Sequence, residues 1–245
     1  VYSGTSTSNN GSNWTFDGNC VTLEQAAFRW FDNVNSTGGA AWHNASWTYR
    51  KAITIDGTKV AGGPHANFPV LINRTDADWK ATTNGGKVGK SNGGDILFTS
   101  ADGTTKLDHE IERYTPSTGE VVAWVELPSL SGSNVVYIYY GYAGAADQWN
   151  VNGTWETNYK GVWHLKEDPS GVAPQMQDST STALNGTSQG LMTSTDQVAG
   201  KIGGALDFDG TDDRIQAATN ATVDNLGAFT LEAWINAPTD HNGHI

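Results

Sequence analysis

The sequence predicts an all-β protein: two successive units, each of antiparallel sheets packed face to face. Three observations carry this. From Trp47 onward, apolar residues fall at every second position in run after run, the period of strands with one buried and one wet face. Gly, Asn, Asp and Pro punctuate the gaps, where turns require them. No amphipathic window of helical period and useful length interrupts the series.

Residues 1–19, "VYSGTSTSNNGSNWTFDGN", hold too little apolar surface to order themselves and read as a linker or edge extension. "TLEQAAFRWF" fits either one short helix or a strand ending at Asp32-Asn33. Residues 1–46 together form an N-terminal extension. The first unit, 47–147, contains "WTYRKAITI", "FPVLI", "DILFTS", "LDHEIERY", "EVVAWVELP" and "NVVYIYYGY". "TPSTGE" is a hairpin connection, and "TSADGTTK" holds the Asp-Gly of a tight turn. Tyr137, Tyr139 and Tyr140 are expected to pack between the sheets. "GYAGAADQWNVNGTWETNYK" breaks the pattern. The second unit, 148–245, then supplies "GVWHLKE", "GGALDFDG", "DRIQAA" and "FTLEAWIN". These are only the first strands of such a unit, so the others are expected either to have been removed or to come from another chain by strand complementation.

Charge and composition exclude some functions. A net charge of −12 and a pI near 4.7 repel phosphate backbones and anionic bilayers, so neither nucleic acid nor a membrane is expected as partner. No apolar run approaches the length of about 18 residues that spans a bilayer, and the polar opening lacks the pattern of a signal peptide. The single Cys20 cannot form an internal disulfide, leaving core packing or bound ions to stabilise the fold. Abundant Gly, Ser, Thr and Asn, with only 14 Lys and Arg and 10 Trp, give the look of an extracellular or cell-surface protein. Asn-x-Ser/Thr sequons begin at Asn10, Asn13, Asn35, Asn44, Asn73, Asn152, Asn185 and Asn220. They fit a secreted glycoprotein, and equally the needs of a turn-rich chain.

In "GKIGGALDFDGTDDRI", strand alternation sends Leu206 and Phe208 to the core and Asp207 and Asp209 outward, with Asp212 and Asp213 across the turn. Hard oxygen ligands around a turn suit calcium, with Asp178 as a further ligand from the neighbouring loop. The other reading is a turn that bonds its own backbone. "LDHEIERY" places Asp108, Glu110 and Glu112 on one strand face and Leu107, His109 and Ile111 on the other. Carboxylates about 7 Å apart on one strand repel modestly and are expected in water or near cations. They point the same way, whereas glycosidase carboxylates flank a bond from opposed sides. His109, among apolar neighbours, is expected to be a hydrogen-bonded core histidine.

No nucleophile motif occurs; His241 and His244 could bind a metal, but two histidines alone are a weak signal. "FTLEAWIN" offers a binding face instead. Trp234 stands beside Glu232 and Asn236, the kind of surface on which a sugar ring stacks and hydrogen-bonds. Trp163 is a similar candidate, and for each the alternative is simple packing.

The strings "WTYRKAITI", "FPVLI", "GGDILFTSADGTTKLDHEIERY", "AWVELPSLS" and "VYIYYG" resemble a family of uncharacterised domains of secreted bacterial and archaeal proteins, found also on biopolymer-transport proton-channel proteins. "GVWHLKE", "DSTSTALNGT", "GKIGGALDFDGTDDRI" and "FTLEAWIN" resemble the N-terminal half of a laminin-G-like, concanavalin-A-like jelly roll. "QAAFRWFDN" resembles a short module of large prokaryotic surface proteins. The resemblance implies tandem β-sandwiches, the second an incomplete jelly roll, and no single activity. The expected function is a non-enzymatic extracellular surface protein for adhesion, matrix or filament assembly, with glycans as candidate ligands. The alternatives are self-association through open sheet edges, and an accessory or catalytic segment of a polysaccharide-degrading enzyme.

Overall fold

A computed structural model describes residues 5–7, 13–15, 40–224 and 226–236. "TLEQAAFRWF", His241 and His244 lie outside them. In the segment expected as a linker, Thr5–Thr7 (β1) and Asn13–Thr15 (β2) pair antiparallel.

Alternation at period two builds the first unit. Its strands are β3 (Tyr49–Ile55), β4 (His65–Thr75), β5 (Leu97–Thr99), β6 (Lys106–Leu107), β7 (His109–Thr115), β8 (Glu120–Leu130) and β9 (Asn134–Tyr140). They form two antiparallel sheets, ordered β3-β9-β5-β6 and β4-β8-β7. Ile53, Phe98, Ile138 and Tyr140 of the first sheet meet Ile72, Val121, Ala123 and Val125 of the second in one dry core. Each of the buried Ile, Val and Phe side chains stabilises the sandwich by roughly 1.5–3 kcal/mol. Pro69 is tolerated because β4 is an edge strand, paired only with β8.

The turns follow the sequence. Residues 116–119 close the β7–β8 hairpin, with Gly119 at φ +76°. Between β5 and β6, the Asp102 carboxylate accepts the N–H groups of Thr104 and Thr105. Asp95, wholly buried, accepts N–H groups from Gly89, Lys90, Gly141 and Tyr142, fastening the β4–β5 connection to the end of β9. His109 lies in the core as expected, its Nδ1 3.3 Å from the Leu107 carbonyl and its ring edge-on to Phe98.

The tyrosines correct one expectation. Strand alternation turns Val136, Ile138 and Tyr140 inward, so of the three tyrosines only Tyr140 joins the core between the sheets. Tyr139 is buried on the outer face with Trp47, and Trp42 packs against them. Arg50 lies 4.6 Å from the Trp42 ring and 4.5 Å from that of Tyr137, and donates to the carbonyls of Ala40 and Ala41. Residues 40–47 thus cover the outside of the sheet.

Beyond β9 regular structure is sparse: α1 (Val151–Thr154), β10 (Gly186–Gln189), β11 (Gln197–Ala199), β12 (Gly204–Leu206) and β13 (Arg214–Ala217). β10 pairs with β13 and β11 with β12, each as a two-stranded antiparallel ribbon. Three strand expectations fail here. "GVWHLKE" contributes only a bridge from Trp163 to Asp178. Phe208 is exposed rather than in a core. "FTLEAWIN" forms no strand, and its apolar and polar positions are alike exposed, with Phe229 at 77% and Trp234 at 71%. A strand persists only where a neighbour takes up its N–H and C=O groups. Among the described residues none pairs with this segment.

Candidate functional site

A β-bulge on β7 creates the most unusual environment among the described residues. Ile111 pairs with Ala123 and Arg113 with Val122, leaving Glu112 as the extra residue. The alternation therefore shifts: Ile111 and then Tyr114 pack on the core. Glu110 and Glu112 face outward, where Trp124 stands opposite Glu110 on β8. Outward is not into water. The chain after α1 crosses this face and brings Trp155, His164 and Ser179 onto it, leaving Glu110 and Glu112 only 5% and 6% exposed. Of the two expected settings, water or nearby cations, the first fails: the face is covered, because the sheet's outer side carries a large indole as well as charge.

The imidazole of His164 lies between the two carboxylates, Nε2 3.1 Å from Glu110 Oε2 and Nδ1 3.2 Å from Glu112 Oε2. The Nε2 approach lacks the alignment of a hydrogen bond, so charge rather than donor geometry holds that side. Trp155 Nε1 and Ser179 Oγ donate to Glu110 at 2.8 and 2.9 Å, and Trp124 Nε1 donates to Glu112 at 2.8 Å. The His164 ring stacks on Trp124. Burial alone would push both carboxyls up and the imidazole down. The close opposite charges win instead, holding Glu110 and Glu112 below the usual carboxylate range and raising His164 to about 9. The cluster is an imidazolium between two carboxylates.

This arrangement fastens β7 to the segment beyond α1. Both imidazolium nitrogens face carboxylates, leaving no lone pair for a base, and the Ser179 hydroxyl is committed to Glu110 rather than to His164. Neighbouring cations are also engaged. Lys166 Nζ donates to the Glu112 carbonyl at 2.9 Å, and Arg113 donates to Glu120 and to the Gly203 carbonyl, each at 2.7 Å. A cleft of about 410 Å³ opens beside the cluster, lined by Glu112, Arg113, Lys166, Gln197 and Gly203 among others.

Gly203 closes the rim. Its φ is +52°, and a Cβ there would collide with Glu112 Oε1. Gly203→Ala is expected to lose about 2 kcal/mol or more in urea denaturation, from left-handed strain and displacement of the carboxylate. A loss below about 0.5 kcal/mol would show that residues 200–204 do not seat on Glu112.

The sequence-predicted residues lie elsewhere. Ligand atoms of Asp209, Asp212 and Asp213 come within 4.8 Å of one another. Asp209 Oδ1 already accepts the Thr211 N–H at 2.8 Å, which holds its carboxyl below the usual range, and Asp213 Oδ2 accepts the Asp209 N–H at 3.0 Å. Asp207 is not in this group. Nor is Asp178, whose two oxygens accept Val162, Thr180 and Leu184 N–H groups and the hydroxyls of Thr180 and Thr182. Trp234, Glu232 and Asn236 sit on the exposed irregular segment, not on a sheet face. Trp163 is half-buried, with Nε1 donating to the Leu184 carbonyl at 2.8 Å. His164, Trp124, Trp155 and Ser179 were missed. The available signal was Trp124 in "VVAWV", which alternation places on the same face as two glutamates.

No curated protein and no solved structure matches the chain. Residues 92–164 match the model of a family described as a domain of unknown function, DUF2341. That segment runs from just before β5 through α1 and ends on His164, so it contains both glutamates, both tryptophans and the histidine of the buried cluster.

Proposed function

We propose that this chain is a non-catalytic module of an extracellular surface protein serving adhesion or matrix assembly, in which the β-sandwich is locked to the polypeptide that follows it. The observation that carries this reading is the Glu110–His164–Glu112 cluster, which joins β7 to the segment beyond α1 and engages its charges internally. With a single cysteine there is no internal disulfide to staple the two parts. A buried ion set does that work here. The sequon asparagines Asn44, Asn73 and Asn152 are exposed and so accessible to glycosylation in a secreted chain. The laminin-G-like reading of residues 148–245 belongs to the proposal and rests on the resemblance of its sequence strings, such as "GKIGGALDFDGTDDRI". So does calcium at Asp209, Asp212 and Asp213, which Ca²⁺ titration followed by thermal unfolding tests.

Beads coated with the chain are expected to adhere to cell-envelope polysaccharide without cutting any polymer of a hydrolysis panel. Cleavage abolished by Glu110→Gln would overturn the proposal in favour of the enzyme reading. A second reading, assembly by strand pairing with another chain, is favoured by the exposure of Phe229, Leu231, Trp234 and Ile235. Light scattering of the same preparation decides it, since a monomer at all concentrations excludes it.

A further inference from the structure

The β10–β13 ribbon carries a second feature that the buried cluster does not use. An open groove of about 530 Å³ runs over it, lined by Asn185, Thr187, Gln189 and Gln216 with Pro174 and small alanines. Thr187 and Gln216 are direct cross-strand partners and Gln189 lies two residues along β10, so these three side chains share one face of the ribbon. Asn185 and Ser188 are engaged inside the protein, Asn185 Oδ1 by the Asp178 N–H and Ser188 Oγ by the Pro169 carbonyl. The Thr187 hydroxyl and the amides of Gln189 and Gln216 make no hydrogen bond to the described residues, leaving donors and acceptors turned to the groove.

We infer that this groove binds an uncharged polysaccharide. The inference rests on the surface-module reading and names the ligand class for its adhesion. Each free amide offers two donors and an acceptor, and the hydroxyl offers both, a set that matches sugar hydroxyls. No charged side chain lines the groove. Arg214, opposite Gln189 in register, turns its guanidinium to the Asp212 carbonyl. An acidic polymer would meet one exposed cation, Arg214, beside the groove and a chain of net charge −12. An apolar ligand or the side-chain anchors of a peptide would find only Ala and Pro surfaces. An open groove fits a chain polymer better than a small ligand that must be enclosed.

Affinity electrophoresis in gels containing dextran, xyloglucan or galactomannan, and in parallel alginate or polygalacturonate, tests this on the full chain. At least one neutral polymer is expected to retard the protein, and the acidic ones are not. Thr187→Ala combined with Gln216→Ala should weaken that binding at least tenfold. Ala218→Trp, at an exposed position on the groove wall, should do the same by steric block, with unchanged thermal unfolding for both variants. Binding that survives both variants would place the sugar site elsewhere and leave the adhesion reading standing. Retardation by no neutral polymer, or equally by alginate, would overturn the assignment of the ligand.

Discussion

His164→Ala is expected to remove about 3–5 kcal/mol of folding stability, the range seen when one member of a buried ion set is deleted. The magnitude comes from what stays behind. Glu110 and Glu112 would remain nine-tenths buried, two like charges two residues apart on β7 with their counterion gone. Indole and hydroxyl donors from Trp155, Trp124 and Ser179 offset only part of that. For a chain of this size the melting temperature should fall by on the order of 10 °C. Urea denaturation checks the value, and a loss under about 1 kcal/mol would mean the cluster is open to water. Should the alanine variant fail to fold, Glu112→Gln gives a milder version. A double-mutant cycle of the two, read at equilibrium, should show strong coupling between them.

Stability is expected to peak near pH 6.5 and to fall on both sides, because two histidines titrate in opposite senses. His164 is raised from 6.5 to about 9, despite burial, by its two carboxylates, with Lys166 as the nearby cation. Between these values the folded state binds the extra proton, so stability is complete below pH 6.5 and is lost as pH rises toward 9. His109 is lowered from 6.5 to about 4 by burial against Phe98, with Lys106 and Asp108 as its charged neighbours. There the unfolded state binds the extra proton, so stability is lost as pH falls from 6.5 toward 4. At ~1.4 kcal/mol per pKa unit, each limb amounts to about 3–4 kcal/mol. Protonation of Glu110 and Glu112, both held low by His164, steepens the acid limb below their ordinary value. Urea midpoints from pH 4 to 9 should show this dome. The alkaline limb should flatten in His164→Ala and the acid limb in His109→Phe. A wild-type profile flat from pH 6.5 to 9 would refute the charged state of His164.

Much of the sandwich was written in the sequence, because strand alternation is a local property. "WTYRKAITI", "EVVAWVELP" and "NVVYIYYGY" each place apolar residues on one face, and β3, β8 and β9 form there. The turns at 116–119 and at Asp102-Gly103 were equally legible, since their chemistry lies within a few residues. His109 followed from its apolar neighbours. The failures share a cause. Alternation says which residues share a face but not what covers it. The bulge at Glu112 arises from pairing with β8, and the burial of both glutamates comes from Trp155, His164 and Ser179 across 45 to 69 residues of chain. "FTLEAWIN" shows the converse: alternation without an adjacent edge among the described residues leaves a strand-like sequence unpaired there. What the chain determined by itself is therefore the all-β class, the strands of the first unit and their turns, where short-range sterics and the two-residue period suffice. Only the tertiary structure decided that an outward-facing pair of carboxylates becomes a buried lock, because burial and charge pairing depend on which distant segment lies over that face.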